Sequence, residues 1–546
     1  MKRRVFVIGI DGGSWKLMAP LLDRGELPNI GRLRGQGASG VLESTLIPLS
    51  PCAWTSFATG VAPPKHGIFD FSYRKKGSYE SMPVSTRDRR AEPIWNTLSR
   101  AGKKVGIINV PLTYPVDRVN GYQISGFPTL EELGDFTFPR SLLAELKREL
   151  GSDFRLQPIV AAHEEEAFLG EVRTITDNTY RATAYLMKKF PWDLLMTVFV
   201  GPDALGHTFF RYLDPKHPGY RGNAPKEYKE AIGDIYKRID AHIGELLKSV
   251  DERTVVLMMS DHGFGPSYYG VTINNWLLQK GYLTLKEAPS TRLRRSLFKR
   301  GVNYSNLFKA LKALNLTSTA SKAAYSKRSR LKELADSVFL TAKDIDWART
   351  KAFSWGNGGQ MFINLHGREP EGIVEPGRQY DGLVVRLVRQ LKELKDPATG
   401  KRIFDGVYGK GEVYPGTKDL DLCPDIFFFD RTMRYSVNRF FEFGSKELIS
   451  PHPIWSGTHT HDGIFLAHCP GDVKAGLRVE GAGICDMAPT IMHILGLPVP
   501  EGMDGHVLSQ IFEKVSREPG REVARARTEG RAINECVSRM RRAKRL

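Results

Sequence analysis

The hydrophobic residues of this chain follow two patterns along its length. Continuous apolar runs of about six residues predict strands buried on both faces, and apolar residues repeated every three or four positions predict amphipathic helices. The predicted strands are RVFVIGID (4–11), KVGIINVP (104–111), DLLMTVFVG (193–201), TVVLMMSD (254–261) and DIFFFD (425–430). The clearest helical repeats are SLLAELKRELG (141–151) and EYKEAIGDIYKRIDAHIGELLKSV (227–250). Because strands and helices alternate, we predict an α/β fold, a three-layer sandwich with a mostly parallel central sheet.

Chain length and local composition predict how the fold is divided. A chain of 546 residues exceeds the size of one ordinary core, so we expect one large domain with insertions, or two domains. The pattern of strands and helices weakens between 285 and 340, where apolar residues at helical spacing stand on a basic background. We therefore predict a core in two parts, 1–284 and 341–512, with a basic helical cap insertion at 285–340 and a basic C-terminal tail at 513–546.

The positive charge is concentrated in two segments. The net charge is +18, and it arises from residues 291–332, with twelve Lys/Arg and no acid, and from residues 516–546, with ten Lys/Arg and four acids. A solvated helical cap accounts for the first segment. Alternatively, its basic residues and apolar stripe bind an anionic substrate or an anionic membrane surface. Nucleic acid is not expected as a partner, because few aromatic side chains are present there to stack on bases.

Several features favour a soluble protein of a reducing compartment. The longest apolar stretches are far shorter than the roughly 20 residues of a transmembrane helix. The N-terminal MKRR leads directly into a strand rather than into a leucine-rich signal core. Five cysteines without a CxxC pair favour reduced thiols over a disulfide framework or a zinc knuckle. We therefore expect a cytoplasmic location.

Carboxylates and imidazoles follow several of the predicted strands. These residues are Asp11, Asp203, His207, Asp261, His262 and His459. A single Asp at a strand end is most often a helix cap or a turn residue. Because the carboxyl ends of parallel strands meet at one edge of a sheet, four such sites indicate a converging set of oxygen and nitrogen ligands for a pair of divalent cations. Two cations about 4 Å apart can support an in-line displacement at phosphorus.

A hydroxyl residue interrupts the segment LIPLSPCAWTSFATGVAPPKHGIFDF (46–71). Ser50 stands where an apolar run breaks at Pro51, before a helix-like stretch that ends at Gly60. From this segment alone, Ser50 is either a turn residue or helix cap, or a nucleophile activated by a bound cation.

The order of these residues along the chain resembles the alkaline phosphatase superfamily, and specifically its branch of type I phosphodiesterases and nucleotide pyrophosphatases. The similarity covers residues 4–275 and 345–510. The motifs that carry it are VIGIDGG, SPCAWTSFATGVAPPKHGIFDF, GPDALGHTFFR, SDHGFG, INLHGREPEGIV, GTHTHDGIFLA and DMAPTIMHILGLPVPEGMDG. The resemblance implies an alkaline-phosphatase-like fold and metal-dependent hydrolysis of a small anionic phosphate ester by a phosphodiesterase or nucleotide pyrophosphatase type of enzyme.

The resemblance also implies roles for individual residues. Two divalent cations, Zn²⁺ or alternatively Mn²⁺, would be bound by two sets of ligands. One set is Asp203, His207 and His459, and the other is Asp11, Asp261, His262 and the oxygen of Ser50. Ser50 stands ten residues before Gly60, where the family has its Ser or Thr nucleophile, so it would form a phosphoseryl intermediate. In GTHTHDG the spacing favours His459 as the ligand, with His461 as the alternative.

The sequence departs from nucleotide pyrophosphatases near the nucleophile. Those enzymes have an Asn shortly after their HGI motif that contacts a phosphoryl oxygen, whereas this chain reads IFDF (68–71) and ends that stretch with Phe71. Ala53 and Trp54 stand where the family stretch TFPNH has Asn and His. The sequence therefore indicates the reaction more strongly than it indicates a nucleotide substrate.

Other polar or reactive residues have structural roles as their simpler interpretation. Cys52 and Ser50 both lack the Cys/Ser-x-Pro-x-Arg motif of sulfatases, so Cys52 is expected to be a small buried residue. We expect His66 to close a loop behind the nucleophile helix, and Asp486 and Asp504 to belong to a structural latch. The residues Asn274, Asn275, Trp276, Asn357 and Asn364 are candidates either for a pocket or for turns and strand edges.

Two other functions compete with ester hydrolysis. A phosphotransferase or mutase of the same superfamily would pass the phosphoryl group to a second hydroxyl, but such enzymes carry a large domain soon after the nucleophile, which residues 72–192 do not resemble. An inactive scaffold would use the basic cap to bind a membrane or a protein. The presence of every ligand position favours an enzyme over a scaffold. No pattern in the sequence predicts the oligomeric state.

Overall fold

A large β-sheet runs through the centre of the protein. The computed structural model describes residues 3–129, 136–158, 162–303, 306–307, 310, 338–417, 420–437, 443, 447–452 and 455–513. The described strands, in chain order, are β1 (Arg4–Ile10), β2 (Ala38–Glu43), β3 (Ser72–Arg74), β4 (Ser81–Pro83), β5 (Val105–Val110), β6 (Gly121–Ser125), β7 (Thr137–Phe138), β8 (Leu194–Phe199), β9 (Thr254–Met259), β10 (Gly263–Pro266), β11 (Tyr269–Val271), β12 (Ala352–Ser354), β13 (Gln360–Ile363), β14 (Gly406–Gly409), β15 (Ile426–Phe429), β16 (Tyr435–Val437), β17 (Ile449–Pro451), β18 (Gly457–Thr460), β19 (Asp462–His468) and β20 (Leu477–Gly483).

Helices lie on both faces of the central sheet and around a smaller second sheet. The described α-helices, in chain order, are α1 (Trp15–Asp23), α2 (Pro28–Gln36), α3 (Ser50–Thr59), α4 (Pro63–His66), α5 (Ile94–Arg100), α6 (Ser141–Leu150), α7 (Glu165–Lys189), α8 (Gly201–Leu213), α9 (Lys226–Leu247), α10 (Ile273–Gln279), α11 (Pro289–Lys299), α12 (Arg378–Lys392), α13 (Lys410–Val413) and α14 (Met487–Ile494).

The central sheet has nine strands in the order β20-β2-β19-β9-β1-β8-β5-β6-β7. β1 pairs in parallel with β8 and β9, and β5 pairs in parallel with β6 and β8. β19 is antiparallel to both of its neighbours, β2 and β9. The predicted α/β fold with a mostly parallel central sheet is therefore confirmed.

The side chains of the central strands alternate between two apolar cores. In β1, Phe6 and Ile8 face the core that α1, α2 and α6 to α9 cover, whereas Val5 and Val7 face the core that α3, α5 and α14 cover. Successive side chains of a strand point to opposite faces of the sheet, so a strand covered on both sides must be apolar at every position. This burial explains the continuous apolar runs in the sequence.

A smaller antiparallel sheet in the order β12-β13-β15-β14 forms a second lobe with α10 and α12. The DIFFFD segment lies in this sheet as β15, not beside the parallel strands of the central sheet. Ile426 and Phe428 face the core of the second lobe, while Phe427 and Phe429 face a separate apolar cluster that includes Ile47. An antiparallel strand with apolar contacts on both faces thus gives the same sequence pattern as a parallel one.

The basic cap and tail are described only in part. Within 285–340, helix α11 and its immediate surroundings are described, but 304–305, 308–309 and 311–337 lie outside the described residues, as does 514–546. The proposed boundaries of the cap and tail therefore stay predictions. In the described part of the chain, no helix combines the length and the apolar composition needed to cross a membrane. Cys52, Cys423, Cys469 and Cys485 are free thiols.

Candidate active site

Three neighbouring strands bring most of the candidate residues to one edge of the central sheet. β8, β1 and β9 are adjacent and parallel, so their carboxyl ends lie side by side. Asp11 follows β1, Asp261 and His262 follow β9, and α8, which follows β8, carries Asp203 and His207. The carboxyl ends of parallel strands are where α/β proteins place their binding sites.

A tight turn after β1 brings Asp11 close to Asp203. Gly12 adopts φ +67, and a Cβ at this position would lie 3.1 Å from the Cα and Cβ of Asp203. The backbone N–H of Asp203 donates to the carbonyl oxygen of Asp11 at 3.2 Å, and that of Gly12 donates to Oδ1 of Asp261 at 3.3 Å. A side chain at position 12 would therefore separate the elements that carry these carboxylates.

An outer cluster consists of Asp203, His207 and His459. His459 joins it from β18, which pairs with β10 immediately after His262. Nε2 of His459 lies 3.1 Å from Oδ1 of Asp203 and 2.9 Å from Nε2 of His207, and the third distance, between His207 Nε2 and Asp203 Oδ1, is 3.4 Å. Two ligands of a tetrahedral zinc ion, each about 2.0 Å from the metal, are separated by about 3.3 Å. The spacing of the outer cluster matches this geometry.

An inner cluster consists of Asp11, Asp261, His262 and Ser50. Nε2 of His262 lies 3.2 Å from Oδ2 of Asp261, 3.7 Å from Oδ1 of Asp11 and 3.2 Å from Oγ of Ser50. These four residues are buried, whereas Asp203 and His207 of the outer cluster are partly exposed. Ligand atoms of Asp11, Asp203 and His262 also lie within 4.8 Å of one another. Asp203 therefore lies between the two clusters, a position that the sequence did not indicate.

The three histidines have the same orientation with respect to the backbone. In His207, His262 and His459, Nδ1 lies 3.0, 3.0 and 2.7 Å from a backbone carbonyl oxygen. The acceptors are the carbonyl oxygens of Gly457, Gly263 and Pro48. A carbonyl oxygen can only accept, so each Nδ1 carries a proton and each ring turns its Nε2, the remaining ligand atom, towards the site. This arrangement is typical of histidines that bind metal ions.

One oxygen of each carboxylate at the site lacks a hydrogen bond that would stabilise its charge. Oδ1 of Asp11, Oδ1 of Asp203 and Oδ2 of Asp261 are buried without a hydrogen-bond donor. Burial and repulsion by Asp261 and Asp203 raise the pKa of Asp11 well above its usual value, and burial together with Asp203 raises the pKa of Asp261.

These donors fit a pair of divalent cations. Unpaired buried carboxylate oxygens are costly in a folded protein, and a bound cation would satisfy them. The Nε2 atoms of His207 and His459 lie 2.9 Å apart, and two ring nitrogens at this distance would repel each other unless a cation or a shared proton lies between them. Oxygen and nitrogen ligands without a thiolate suit Zn²⁺ or Mn²⁺. The ligand assignments taken from the sequence stay predictions, but their side chains do lie together.

Ser50 is the first residue of helix α3 and lies at the inner cluster. Pro51 occupies the first turn, where its fixed φ favours a helical start, and every residue of α3 is buried. The Ser50 hydroxyl donates to Nε2 of His262, because that nitrogen carries no proton. The positive end of the α3 dipole therefore points towards the cluster, where it would attract an anionic group.

Two residues that were not assigned a role from the sequence support Asp11 or the turn that follows it. The indole N–H of Trp54, one turn after Ser50, donates to Oδ2 of Asp11 at 3.0 Å. The hydroxyl of Tyr236 on α9 accepts from the backbone N–H of Ser14 at 3.2 Å, in the turn that follows Asp11. Trp54 lies four residues after Ser50, and this helical spacing could have indicated that its side chain lies on the same face of α3 as Ser50. Tyr236 is too far from Ser14 in the sequence for their contact to be recognised.

Two further histidines near the nucleophile segment face away from the clusters. Nε2 of His461 donates to the carbonyl oxygen of Leu46 at 2.8 Å, and burial, with Arg431, lowers the pKa of His461 to about 4. Nε2 of His66 donates to Oγ of Ser56 at 3.0 Å, and its Nδ1 accepts from the backbone N–H of Ile68 at 3.1 Å. Both rings thus bind the chain around α3.

The remaining polar candidates make local contacts that hold loops in place. Oδ2 of Asp504 accepts from the backbone N–H of Ala62 at 2.8 Å, and both carboxylate oxygens of Asp486 accept from backbone N–H groups. The side-chain amides of Asn274, Asn357 and Asn364 are hydrogen-bonded to neighbouring loops and strands. Asn275 and Trp276 are buried on α10. These contacts are those of structural residues.

The sequence and the geometry both lead to one family. The sequence model of type I phosphodiesterase / nucleotide pyrophosphatase matches residues 5–431. The chain belongs to this family. Its members are metal-dependent phosphoester hydrolases of the alkaline phosphatase superfamily, so the resemblance read from the motifs is confirmed. No curated protein matches the chain significantly in sequence.

The chain is similar to solved structures at low sequence identity. Phosphonoacetate hydrolase from Sinorhizobium meliloti 1021, in complex with phosphonoformate, has a TM-score of 0.52 and 14% sequence identity, and the match covers 90% of this chain and 96% of that one. Human ectonucleotide pyrophosphatase / phosphodiesterase 5 has a TM-score of 0.49 and 15% identity, over 94% of this chain and 100% of that one. At this level of identity the similarity to phosphonoacetate hydrolase supports the alkaline-phosphatase-like fold.

Proposed function

We propose that this protein is a two-metal phosphoric ester hydrolase of the phosphodiesterase or nucleotide pyrophosphatase type, with Ser50 as its nucleophile. The observation that carries this proposal is the convergence of three imidazole Nε2 atoms and three unpaired carboxylate oxygens in two adjoining clusters, one of which contains the Ser50 hydroxyl. A protein core does not accumulate buried unpaired polar atoms in one place for packing alone. A ligand-binding role accounts for them.

The proposed division of roles follows the two clusters. Asp203, His207 and His459 would hold one cation, and Asp11, Asp261, His262 and the oxygen of Ser50 would hold the other. Zn²⁺ is the proposed metal and Mn²⁺ the alternative, because the donors are oxygen and nitrogen atoms. When bound, the cations would supply positive charge to the phosphoryl oxygens as negative charge builds up on them.

The protein residues would then carry the phosphoryl group in two displacements. Oγ of Ser50 gives up its proton and forms a bond to phosphorus while the bond to the leaving-group oxygen breaks and that oxygen takes up a proton, giving a phosphoseryl intermediate. The oxygen of a water molecule then forms a bond to phosphorus and gives up a proton, while the bond from phosphorus to Oγ breaks and Oγ takes up a proton, which releases the phosphate product and regenerates the serine. The N-terminal end of α3 is directed at the phosphoryl oxygens through both steps. Two in-line displacements predict retention of configuration at phosphorus.

The proposed substrate is a small anionic phosphate ester. Phe71 occupies the stretch where nucleotide pyrophosphatases have an Asn, and its ring packs edge-on against Phe127 with 6.1 Å between centroids. A phenyl ring donates no hydrogen bond to a phosphoryl oxygen. The carboxylate of Asp70 is also engaged, because it accepts from the backbone and side-chain amides of Asn357. The proposal therefore names phosphate esters as the substrate class without singling out nucleotides.

A panel of p-nitrophenyl monoesters and diesters, assayed with Zn²⁺ or Mn²⁺, tests the function. The wild type should hydrolyse at least one ester, and Ser50→Ala should lower kcat by about 10⁴-fold or more, since nucleophile removal has effects of this size. Ser50→Thr is the matched variant, because it keeps a hydroxyl and should retain most of the activity. Absence of hydrolysis with either metal would contradict the hydrolase, and full activity of Ser50→Ala would contradict the nucleophile.

A further inference from the structure

Helix α11 (Pro289–Lys299) is fastened to the second lobe by one face. The hydroxyl of Thr291 donates to Oδ1 of Asp344 at 2.7 Å, and Arg294 makes an ion pair with the same carboxylate at 2.5 Å. Phe298, two turns after Thr291, is buried in the core of the second lobe. Positions 291, 294 and 298 lie on one side of a helix, so these contacts fix which side faces the protein.

The other sides of α11 face solvent and carry two stripes. Arg292, Arg295 and Lys299 are exposed and follow one another at helical spacing. Leu293 and Leu297 form a second stripe one turn apart; Leu293 is 61% exposed and Leu297 is partly exposed. We name these five residues the α11 surface. A large aliphatic side chain is held in water next to a row of cations.

Little negative charge opposes these cations. The sequence from 291 to 332 contains twelve Lys/Arg and no acid, and the described part of it begins with α11. Among the described residues, ion pairs join α11 to two carboxylates, Asp344 and Glu287. Asp344 lies beneath the helix, and Glu287 is an exposed residue 3.8 Å from Arg292 that also pairs with Arg349 at 3.2 Å. Exposed pairs of this kind are weak, so the α11 surface remains strongly positive.

We propose that the α11 surface docks this protein onto an anionic phospholipid membrane. A short helix with basic residues beside exposed leucines lies flat at a bilayer interface, where the leucines enter the headgroup region and the cations contact lipid phosphates and carboxylates. Each Lys or Arg near an anionic leaflet strengthens binding by about five-fold. Leu293 distinguishes this partner from a nucleic acid, whose backbone contacts need cations but not an aliphatic side chain. The proposal is independent of the hydrolase function.

Vesicle binding by the full-length protein tests the proposal. Sedimentation with phosphatidylcholine vesicles that contain about one third phosphatidylserine should show binding that weakens as NaCl is raised, since salt screens exposed charges. Vesicles of phosphatidylcholine alone should bind at least ten-fold more weakly. Arg295→Gln with Lys299→Gln should weaken binding by about 25-fold, and Leu293→Ser by about three-fold or more.

Helix α12 (Arg378–Lys392) offers matched controls on the same lobe. Arg386→Gln with Arg389→Gln removes the same charge from exposed positions, and Val385→Ser removes an aliphatic side chain that is 69% exposed. These variants should bind like the wild type. All variants lie on exposed positions, so equal thermal unfolding temperatures would show that the fold is intact.

Three results would overturn the proposal. One is equal binding to charged and uncharged vesicles, or no binding to either. Another is equal loss of binding in the α11 and α12 variants, or full binding by the α11 variants, which would assign any membrane contact to other basic residues. The third is equally tight binding to a DNA duplex without any effect of Leu293→Ser, which would make the surface a general polyanion site.

Discussion

The two ends of helix α3 (Ser50–Thr59) differ in how their polar groups are satisfied. At the N-terminal end, Ser50 lies near carboxylate oxygens that have no donor and beside Nε2 of His262, which carries no proton. At the C-terminal end, Oγ of Ser56 is paired with Nε2 of His66 at 3.0 Å, and the carbonyl oxygen of Gly60 accepts from the backbone N–H of Asp504 at 2.9 Å. Both ends are buried and both contain histidine and aspartate.

The comparison shows that residue type alone does not separate a ligand site from a structural latch. A buried histidine or carboxylate stabilises the fold when its hydrogen bonds are made, and it costs stability when they are not. His66 uses both ring nitrogens within the chain, whereas His262 uses one and leaves the other to the cluster. We therefore expect substitutions at the N-terminal end to change activity and metal binding, and those at the C-terminal end to change stability.

The largest difference is expected between His262→Gln and His66→Gln. His262→Gln removes a proposed ligand, so kcat/KM should fall by about 10³-fold or more and the bound metal should fall from two ions to one. His66→Gln should keep kcat/KM close to that of the wild type and bind both ions. The measurements are ester hydrolysis and metal content by atomic absorption. An equal loss of activity in the two variants would contradict the interpretation that only the N-terminal end of α3 belongs to the catalytic site.

The stability that His66 contributes at the C-terminal end of α3 should decrease at acidic pH. Burial, with the charge of Arg89, lowers the pKa of His66 to about 3, so the folded protein holds this ring neutral while the unfolded chain takes up a proton near its ordinary value of 6.5. Stability from this residue is therefore complete above pH 6.5 and is lost as the pH falls towards 3. Between pH 7 and pH 5 the loss is about 2 kcal/mol.

Urea unfolding of the wild type and of His66→Gln at both pH values isolates this contribution. Gln cannot take up a proton, so the free energy of unfolding of the variant should fall about 2 kcal/mol less than that of the wild type over this interval. Other buried histidines contribute equally to both proteins and cancel in the difference. Parallel pH dependences of the two proteins would show that His66 is not held neutral by the fold.

Local patterns predicted the inner cluster better than they predicted its surroundings. Asp11 and Asp261 follow buried parallel strands, and the rule that such strands end at one edge of the sheet brings them together without any knowledge of the rest of the fold. Ser50 was identified by its order relative to these residues. The hydrogen bond from Trp54 to Asp11 was missed, because it depends on how α3 packs against β1.

Features that depend on distant pairings could not be read from the sequence. His459 reaches the outer cluster because β18 pairs with β10, almost two hundred positions earlier in the chain. The position of Asp203 between both clusters depends on the close approach that Gly12 permits. The placement of β15 outside the central sheet was also not visible, because burial on both faces gives the same apolar run in either sheet.

A smaller effect is expected from Trp54→Phe, which removes the N–H that holds Asp11. Loss of a hydrogen bond to a metal ligand typically weakens metal binding by about ten-fold. Trp95→Phe is the matched control, because the buried indole of Trp95 also donates to a carboxylate, Oδ2 of Asp117 at 2.9 Å, on a helix that carries no proposed ligand. Competition with a fluorescent chelator should show weaker metal binding for Trp54→Phe and unchanged binding for Trp95→Phe.

The two tryptophans also separate a positioning role from a packing role. Both substitutions remove ring volume from the same core, so both should lower stability in EDTA by similar amounts. A change in metal affinity that appears only in Trp54→Phe therefore belongs to the contact with Asp11. Equal metal affinities in the two variants would show that Asp11 holds its orientation without the indole.

The smallest expected effects have opposite signs at the two ends of α3. Burial and the neighbouring carboxylates raise the pKa of Asp11, so its charge is unfavourable in the metal-free protein, and Asp11→Asn should raise the free energy of unfolding in EDTA by about 1 kcal/mol. Asp504 accepts from Ala62 and pairs with Lys65, so Asp504→Asn should lower it by about 1 kcal/mol. Urea unfolding at neutral pH in EDTA measures the free energies of unfolding of both variants. In saturating Zn²⁺, Asp11→Asn should become less stable than the wild type, because this variant binds the metal less tightly. Asp504→Asn should stay less stable than the wild type with or without Zn²⁺. If Asp11→Asn destabilises the metal-free protein as Asp504→Asn does, then Asp11 is a structural carboxylate, and its charge in the inner cluster does not require a bound cation.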